Sequence, residues 1–197
     1  GEETADALIE KLVPRIEKLK VGPYTAGDDV DYGPVVTKAA MENIRRLVQT
    51  GIDQGAELVV DGRDFALQGY EDGFFVGPHL FDRVTPDMDI YRTEIFGPVL
   101  STVRAGSYEE AIGLAMDHEY GNGTAIFTRD GDTARDFANR INIGMVGINV
   151  PIPVPLAYHT FGGWKKSGFG DLNQHGPDAF RFYTRTKTVT ARWPSGI

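Results

Sequence analysis

The strongest constraint on this chain is a change of period that repeats through its middle. Residues Val99 to Val103 form a short apolar run, and Ser107 then caps a helical pattern over Tyr108 to Asp117. An apolar run over Thr124 to Thr128 follows, then a helical pattern over Asp132 to Asn142 that turns Phe137 and Ile141 inward. A third run, Met145 to Val150, is apolar enough to be buried on both faces. Strand, helix, strand, helix, strand in this order predicts an α/β fold with a parallel sheet and right-handed crossover helices.

The flanks are less regular. Leu8, Leu12, Ile16 and Leu19 recur at helical spacing, and Pro14 is expected to kink that helix or end its first half. Residues 21–36 are rich in Gly and Pro and read as a loop. Thr37 caps a second helix with Met41, Ile44, Val48 and Ile52 on one face and Gly55 near its end. Glu57 to Val60 reads as a short strand stopped by Asp61-Gly62, and Phe74 to Val84 contains a longer one. Residues 151–177, with Pro151, Pro153, Pro155 and repeated glycines, are irregular. A stretch of that length inside a compact domain is a functional loop or a surface excursion. A short helix over Asp178 to Tyr183 leads to Thr186 to Trp193, where Thr and Lys alternate with Val and Ala. This reads as a late strand that pairs elsewhere, including with a second subunit. The chain thus divides into a main body, 1–177, and a C-terminal helix and strand, 178–197.

Composition removes several classes of function. The net charge is −8 with Lys and Arg scattered, a surface that repels a phosphate backbone, so no nucleic acid partner is expected. The chain has no cysteine, which excludes disulfides, thiolate metal sites and a cysteine nucleophile within it. It contains no H-E-x-x-H, no G-x-S-x-G and no P-loop, so no metal site is expected. Gly168-Phe169-Gly170 is only a fragment of a dinucleotide fingerprint. No apolar run approaches the ~20 residues that span a bilayer, and no membrane partner is expected. Gly1-Glu2-Glu3-Thr4 opens almost directly into a helical pattern without an initiator Met, which predicts a piece of a longer protein.

Three motifs stand in order along the chain. Glu94-Ile95-Phe96-Gly97-Pro98-Val99 matches E-x-F-G-P-V, Phe161-Gly162-Gly163-Trp164-Lys165-Lys166-Ser167-Gly168 matches F-G-G-x-K-x-S-G, and Lys187-Thr188-Val189-Thr190 matches a terminal strand. On these the chain resembles the C-terminal catalytic half of the NAD(P)-dependent aldehyde dehydrogenase superfamily, from about residue 1 to its end. Pro153-Val154-Pro155-Leu156, His159-Thr160-Phe161 and Phe169-Gly170-Asp171-Leu172-Asn173-Gln174-His175-Gly176 resemble its methylmalonate-semialdehyde (malonate-semialdehyde) branch, as do Arg181-Phe182-Tyr183 and Arg192-Trp193-Pro194. The resemblance implies oxidation of a semialdehyde with NAD as cofactor and transfer of the acyl group to coenzyme A. It also implies a homo-oligomer, a dimer or tetramer, in the cytoplasm or, in a eukaryote, the mitochondrial matrix.

Enzymes of this family attack the aldehyde with a cysteine thiolate, dividing one hard step into two. That cysteine, the general-base glutamate and the Gly-bearing nucleotide half have no counterpart here, so no catalytic residue is assigned in this chain. By type alone Glu94 would be a solvated surface glutamate. Within its motif it matches the carboxylate that accepts hydrogen bonds from the nicotinamide ribose, whose vicinal hydroxyls suit two acceptor oxygens. Phe96 would otherwise be a core aromatic and matches the residue packed near the nicotinamide ring. Phe161 either lines the substrate tunnel or packs beneath the Gly162-Gly163 turn. His159 lacks a carboxylate partner at an interpretable spacing and is expected to be structural or pocket-lining rather than a base. Lys165 is expected to make backbone contacts that fix the loop, Lys166 to be solvated, and Trp164 to lie at a subunit contact. The isolated chain is expected to show no dehydrogenase activity and weak or undetectable NAD binding. Two other readings stay open: a non-catalytic assembly module of the same family, or an independent α/β binding domain.

Overall fold

The computed structural model describes residues 1–196, and the chain divides into two compact units, Gly1–Ala111 and the residues from Ile112 onward. In the first unit, helix α1 (Glu2–Ile16) begins with Glu2 and Glu3, where the helix dipole favours negative charge. Pro14 lies in its last turn, and the helix continues to Ile16 rather than ending in its first half. So close to the end, the missing N–H costs only one intrahelical bond.

Helix α2 (Lys38–Asp53) starts as expected, with the Thr37 hydroxyl accepting the Ala40 N–H at 3.1 Å. Its inward face carries Met41, Ile44, Leu47 and Val48 into the main core. Strand β1 (Glu57–Val60) pairs antiparallel with β2 (His79–Asp82), which is buried along its whole length. A short helix, α3 (Asp89–Arg92), adds Ile90 to the core. Gly51 of α2 makes room for it, since a Cβ there would stand 2.8 Å from Ile90 Cδ1. Strand β3 (Val99–Ser101) lies parallel to β2, so β2 is the central strand of three.

Arg104 locks α1 to this sheet. Its guanidinium meets the Asp82 carboxylate (Nη2 to Oδ2 2.5 Å), reaches Asp6 at 2.8 Å and also bonds Glu2. Asp82 is 3% exposed, and it accepts the Thr102 hydroxyl at 2.8 Å as well. This cationic partner and the added donors pull the Asp82 carboxyl down from 3.8 to about 2.

Helix α4 (Tyr108–Asp117), which crosses from the first unit into the second, is capped by Ser107, whose hydroxyl accepts the Glu110 N–H at 3.1 Å. The Glu110 carboxylate returns to the Gly106 N–H at 2.7 Å. Strand β4 (Tyr120–Gly121) is followed by β5 (Gly123–Ile126), α5 (Gly131–Arg140) and β6 (Met145–Ile148), with β5 and β6 parallel. Phe137 and Ile141 are buried as their spacing predicts, and Asp130 caps α5 by accepting the Thr133 N–H at 2.6 Å. Strand β7 (Trp164–Lys165) pairs antiparallel with β4, and α6 (Ala179–Tyr183) follows a single 3₁₀ turn at Gly176–Asp178.

Two expectations need correction, and the C-terminal tail stands apart. The α/β class holds, but the sheets are mixed: β3 takes its parallel partner from β2 in its own unit rather than joining β5 and β6 in one run. β6 is not buried on both faces, because Ile148 is 43% exposed and no further strand of its unit pairs with it. Thr186 to Trp193 has no ladder partner among the described residues, and Val189 and Trp193 are 77% and 90% exposed. A strand needs a second chain segment to satisfy its backbone, and this tail finds none within its own unit.

The Arg104 cluster sets a pH response. The lowered Asp82 carboxyl contributes stability that is full above its ordinary 3.8 and is lost as pH falls towards about 2. Asp82→Asn is expected to cost about 3 kcal/mol at neutral pH, at the low end for a broken buried pair because Arg104 keeps Glu2 and Asp6. Denaturant unfolding followed across that pH range measures both effects, and the variant should lose much of the acid limb.

Candidate functional site

Alternation builds the first site. Ile95 and Val99 pack against the core of the first unit, while Glu94 and Phe96 are exposed. Gly97 passes directly over α2, where a Cβ would stand 2.5 Å from Ile44 Cδ1. The motif's glycine is therefore required by close approach. Its proline is fixed next, since the Pro98 carbonyl accepts the His79 N–H at 2.9 Å and ties the turn to β2.

Between these anchors Phe96 adopts φ +58 and is 82% exposed. A bulky L-residue in the left-handed region costs on the order of 1–3 kcal/mol and persists only when its surroundings impose it. Packing does not repay that cost here, because the ring buries little. Glu94 makes no hydrogen bond or ion pair among the described residues. Both side chains border an open depression of about 530 Å³, together with Ile90, Thr93, Ile95, Gly97, Val99 and Ser101.

The second unit contains a cavity of about 620 Å³ lined by Phe161, Met145, Leu172, Phe182 and Tyr183, with amides from Asn122, Asn173 and Gln174. Phe161 is thus a lining residue. Its neighbour Gly162 is forced, for a Cβ there would stand 1.5 Å from Asn173 Oδ1. His159 is exposed and lies outside the cavity lining, its ring edge-on to Tyr158 with centroids 6.0 Å apart. Among the described residues no group of His, Cys, Asp or Glu is placed to hold a metal.

The loop around the cavity is held by Lys165, at φ +52. Its ammonium donates to the carbonyls of Ala115 (3.3 Å), Met116 (2.7 Å) and His118 (3.0 Å), the open end of α4. A cation there satisfies orphan carbonyls and complements the helix dipole. Ser167 adds its hydroxyl as acceptor for the Gly121 N–H at 3.0 Å. Lys166 points largely into solvent but pairs with Glu119.

Comparison with known proteins now separates the possibilities. Residues 1–189 match the aldehyde dehydrogenase family. The chain belongs to that family. This aldehyde dehydrogenase chain is 60% identical over 194 residues to a malonate-semialdehyde dehydrogenase of Pseudomonas aeruginosa, covering 98% of itself and 39% of that protein. It is 51% identical over 186 residues to a mitochondrial acylating methylmalonate-semialdehyde dehydrogenase of Arabidopsis thaliana, covering 93% of itself and 30% of the relative. A crystal structure from Sinorhizobium meliloti, described as a methylmalonate-semialdehyde dehydrogenase complexed with NAD, superposes with a TM-score of 0.94 at 72% identity. It is matched over 100% of this chain and 40% of that one. The chain therefore spans 30% to 40% of the length of these relatives.

Sequence reasoning singled out Glu94, Phe96 and Phe161, which the structure places at concave surfaces, but gave no role to Asn173 or His175, which pack on Gly162 and on the Phe161 ring. The available signal was Gly176, whose φ of +71 marks a forced backbone beside His175. Lys165→Met keeps the aliphatic stem of this aldehyde dehydrogenase loop and deletes its hydrogen bonds. It is expected to cost about 2 kcal/mol, with amide hydrogen exchange quickening at residues 164–168. Unfolding midpoints and exchange rates of the two proteins check this.

Proposed function

We propose that this chain supplies one wall of the cofactor site and one aromatic of the substrate pocket in an NAD-dependent, coenzyme A-acylating dehydrogenase of methylmalonate or malonate semialdehyde. One observation carries the reading: an unpartnered carboxylate, Glu94, and an aromatic held outward at φ +58, Phe96, border the same open depression. The carboxylate offers two acceptor oxygens to adjacent ribose hydroxyls. The exposed ring offers a flat apolar face to a nicotinamide. These features fit NAD, which when bound supplies the hydride acceptor. The NAD complex of the Sinorhizobium meliloti protein supports that choice of cofactor.

Phe161 is assigned to a semialdehyde pocket in the second unit, as part of an apolar wall that excludes water from a reacting carbonyl. His159, exposed and outside the cavity, is assigned no proton transfer. Coenzyme A as acyl acceptor is supported by the acylating name of the Arabidopsis relative. The exposed tail from Thr186 to Trp193 is assigned to pairing with another subunit, which would satisfy its backbone. Among the described residues no helix is long and apolar enough to cross a membrane. Placement in the cytoplasm, or in the mitochondrial matrix of a eukaryote, is part of the same reading.

The 197 residues contain no cysteine and so no thiolate nucleophile. The chain alone is expected to reduce no NAD in the presence of malonate semialdehyde and coenzyme A. A chimera in which it replaces the matching region of the Pseudomonas aeruginosa relative is expected to regain NADH formation and acyl-coenzyme A release. Within that chimera Glu94→Gln should raise KM for NAD about tenfold or more, with a smaller effect on KM for the semialdehyde. An inactive chimera beside an active parent, or an unchanged KM for NAD in Glu94→Gln, would sink the proposal.

A further inference from the structure

The segment after the glycine-rich turn holds the cavity wall from behind. The Gly176 N–H donates to the Ala157 carbonyl at 3.2 Å. Gly176 itself lies so close to the preceding loop that a Cβ would stand 3.0 Å from the His159 carbonyl carbon and 3.0 Å from the Thr160 nitrogen. Asn173 presses on Gly162 in the same way. Residues 173–176 therefore grip the backbone on both sides of Phe161.

Within that grip the His175 imidazole lies against the Phe161 ring, with centroids 4.1 Å apart and planes inclined at 37°. Both residues are half-buried, but only Phe161 lines the cavity. Neither His175 ring nitrogen makes a hydrogen bond among the described residues, so the imidazole acts through its face. At that separation the two rings are in direct contact, so each limits where the other can turn. With the Phe161 backbone clamped, its remaining freedom is side-chain rotation, and a ring tilted against it selects one rotamer from the few available.

We infer that His175 is a positioning residue: its ring holds Phe161 in the orientation that borders the cavity, so substrate fit at this wall depends on a residue outside the lining. The inference rests on the reading above for the assignment of the cavity to the semialdehyde. It differs from a merely structural role in what it moves. A loosened Phe161 alters the fit of the aldehyde and leaves the Glu94 and Phe96 wall untouched.

The test uses the chimera with Pseudomonas aeruginosa, carrying meta-fluorophenylalanine at position 161 for fluorine NMR. His175→Leu is expected to raise KM for malonate semialdehyde about tenfold while KM for NAD stays within about twofold. The fluorine resonance should shift and broaden as the tilted ring is lost. His175→Phe, which keeps a ring, should restore both readouts, and His175→Gln serves as a second ringless variant should Leu impair folding. Unchanged semialdehyde KM and resonance in the ringless variants would overturn the inference. A His175→Phe variant that behaves like them would also overturn it, since the nitrogens and not the ring face would then matter. Should the unmutated chimera prove inactive, the functional reading fails by itself, and the fluorine resonances of the same variants still decide whether His175 positions Phe161.

Discussion

The packing of Ile44 beneath Gly97 is the contact on which the turn through Glu94 and Phe96 depends. Ile44 is among the most buried residues of the chain and belongs to the face that α2 turns towards Phe81 and Val84. Gly97 lies on it without space for a Cβ. With Ile95 and Val99 drawn into the same core, the intervening turn has few conformations left. The left-handed Phe96 and the outward Glu94 follow from that constraint. Tight interiors transmit such demands because they cannot deform continuously.

Strain at Phe96 and at Lys165 is supported in different ways. Phe96 is flanked by buried apolar neighbours and leaves its own ring in the open, a conformation imposed by the core for no packing return. Lys165 is repaid directly, through its hydrogen bonds to the last carbonyls of α4. The first is strain without a packing return, and the second is a structural clasp. A lysine in a glycine-rich loop of an acidic chain invites an anion-binding reading, yet its charge is already engaged by backbone oxygens.

The Arg104 cluster shows how a modest surface network gains weight when one partner is buried. Glu2 and Asp6 are exposed and each would contribute little alone. Asp82 is buried, and its full set of partners, Arg104, Thr102 and the Arg83 N–H, makes an ionised carboxylate tolerable there. The N-terminal helix, whose own residues contribute none to the buried core, is held to β2 through this carboxylate.

Much of the local structure was legible in the sequence because local physics decides it. Thr37 and Ser107 cap the helices they precede, each by accepting an N–H three residues on, and Phe137 and Ile141 point inward at helical spacing. The motif around Glu94 was legible only through its family resemblance, since by residue type alone Phe96 reads as a core aromatic. Pairing was not legible: which strand β3 joins, whether β6 is covered on its second face, and whether Thr186 to Trp193 has a partner depend on segments distant in sequence. His175 on Phe161 and Asn173 on Gly162 belong to the same class. The sequence by itself determined the helices, their inward faces and the caps at Thr37 and Ser107, because these rest on periodicity and on hydrogen bonds between near neighbours. Only the tertiary structure decided strand partners, the strained φ of Phe96 and the ring behind Phe161, because each is set by which distant side chain fills the adjoining space.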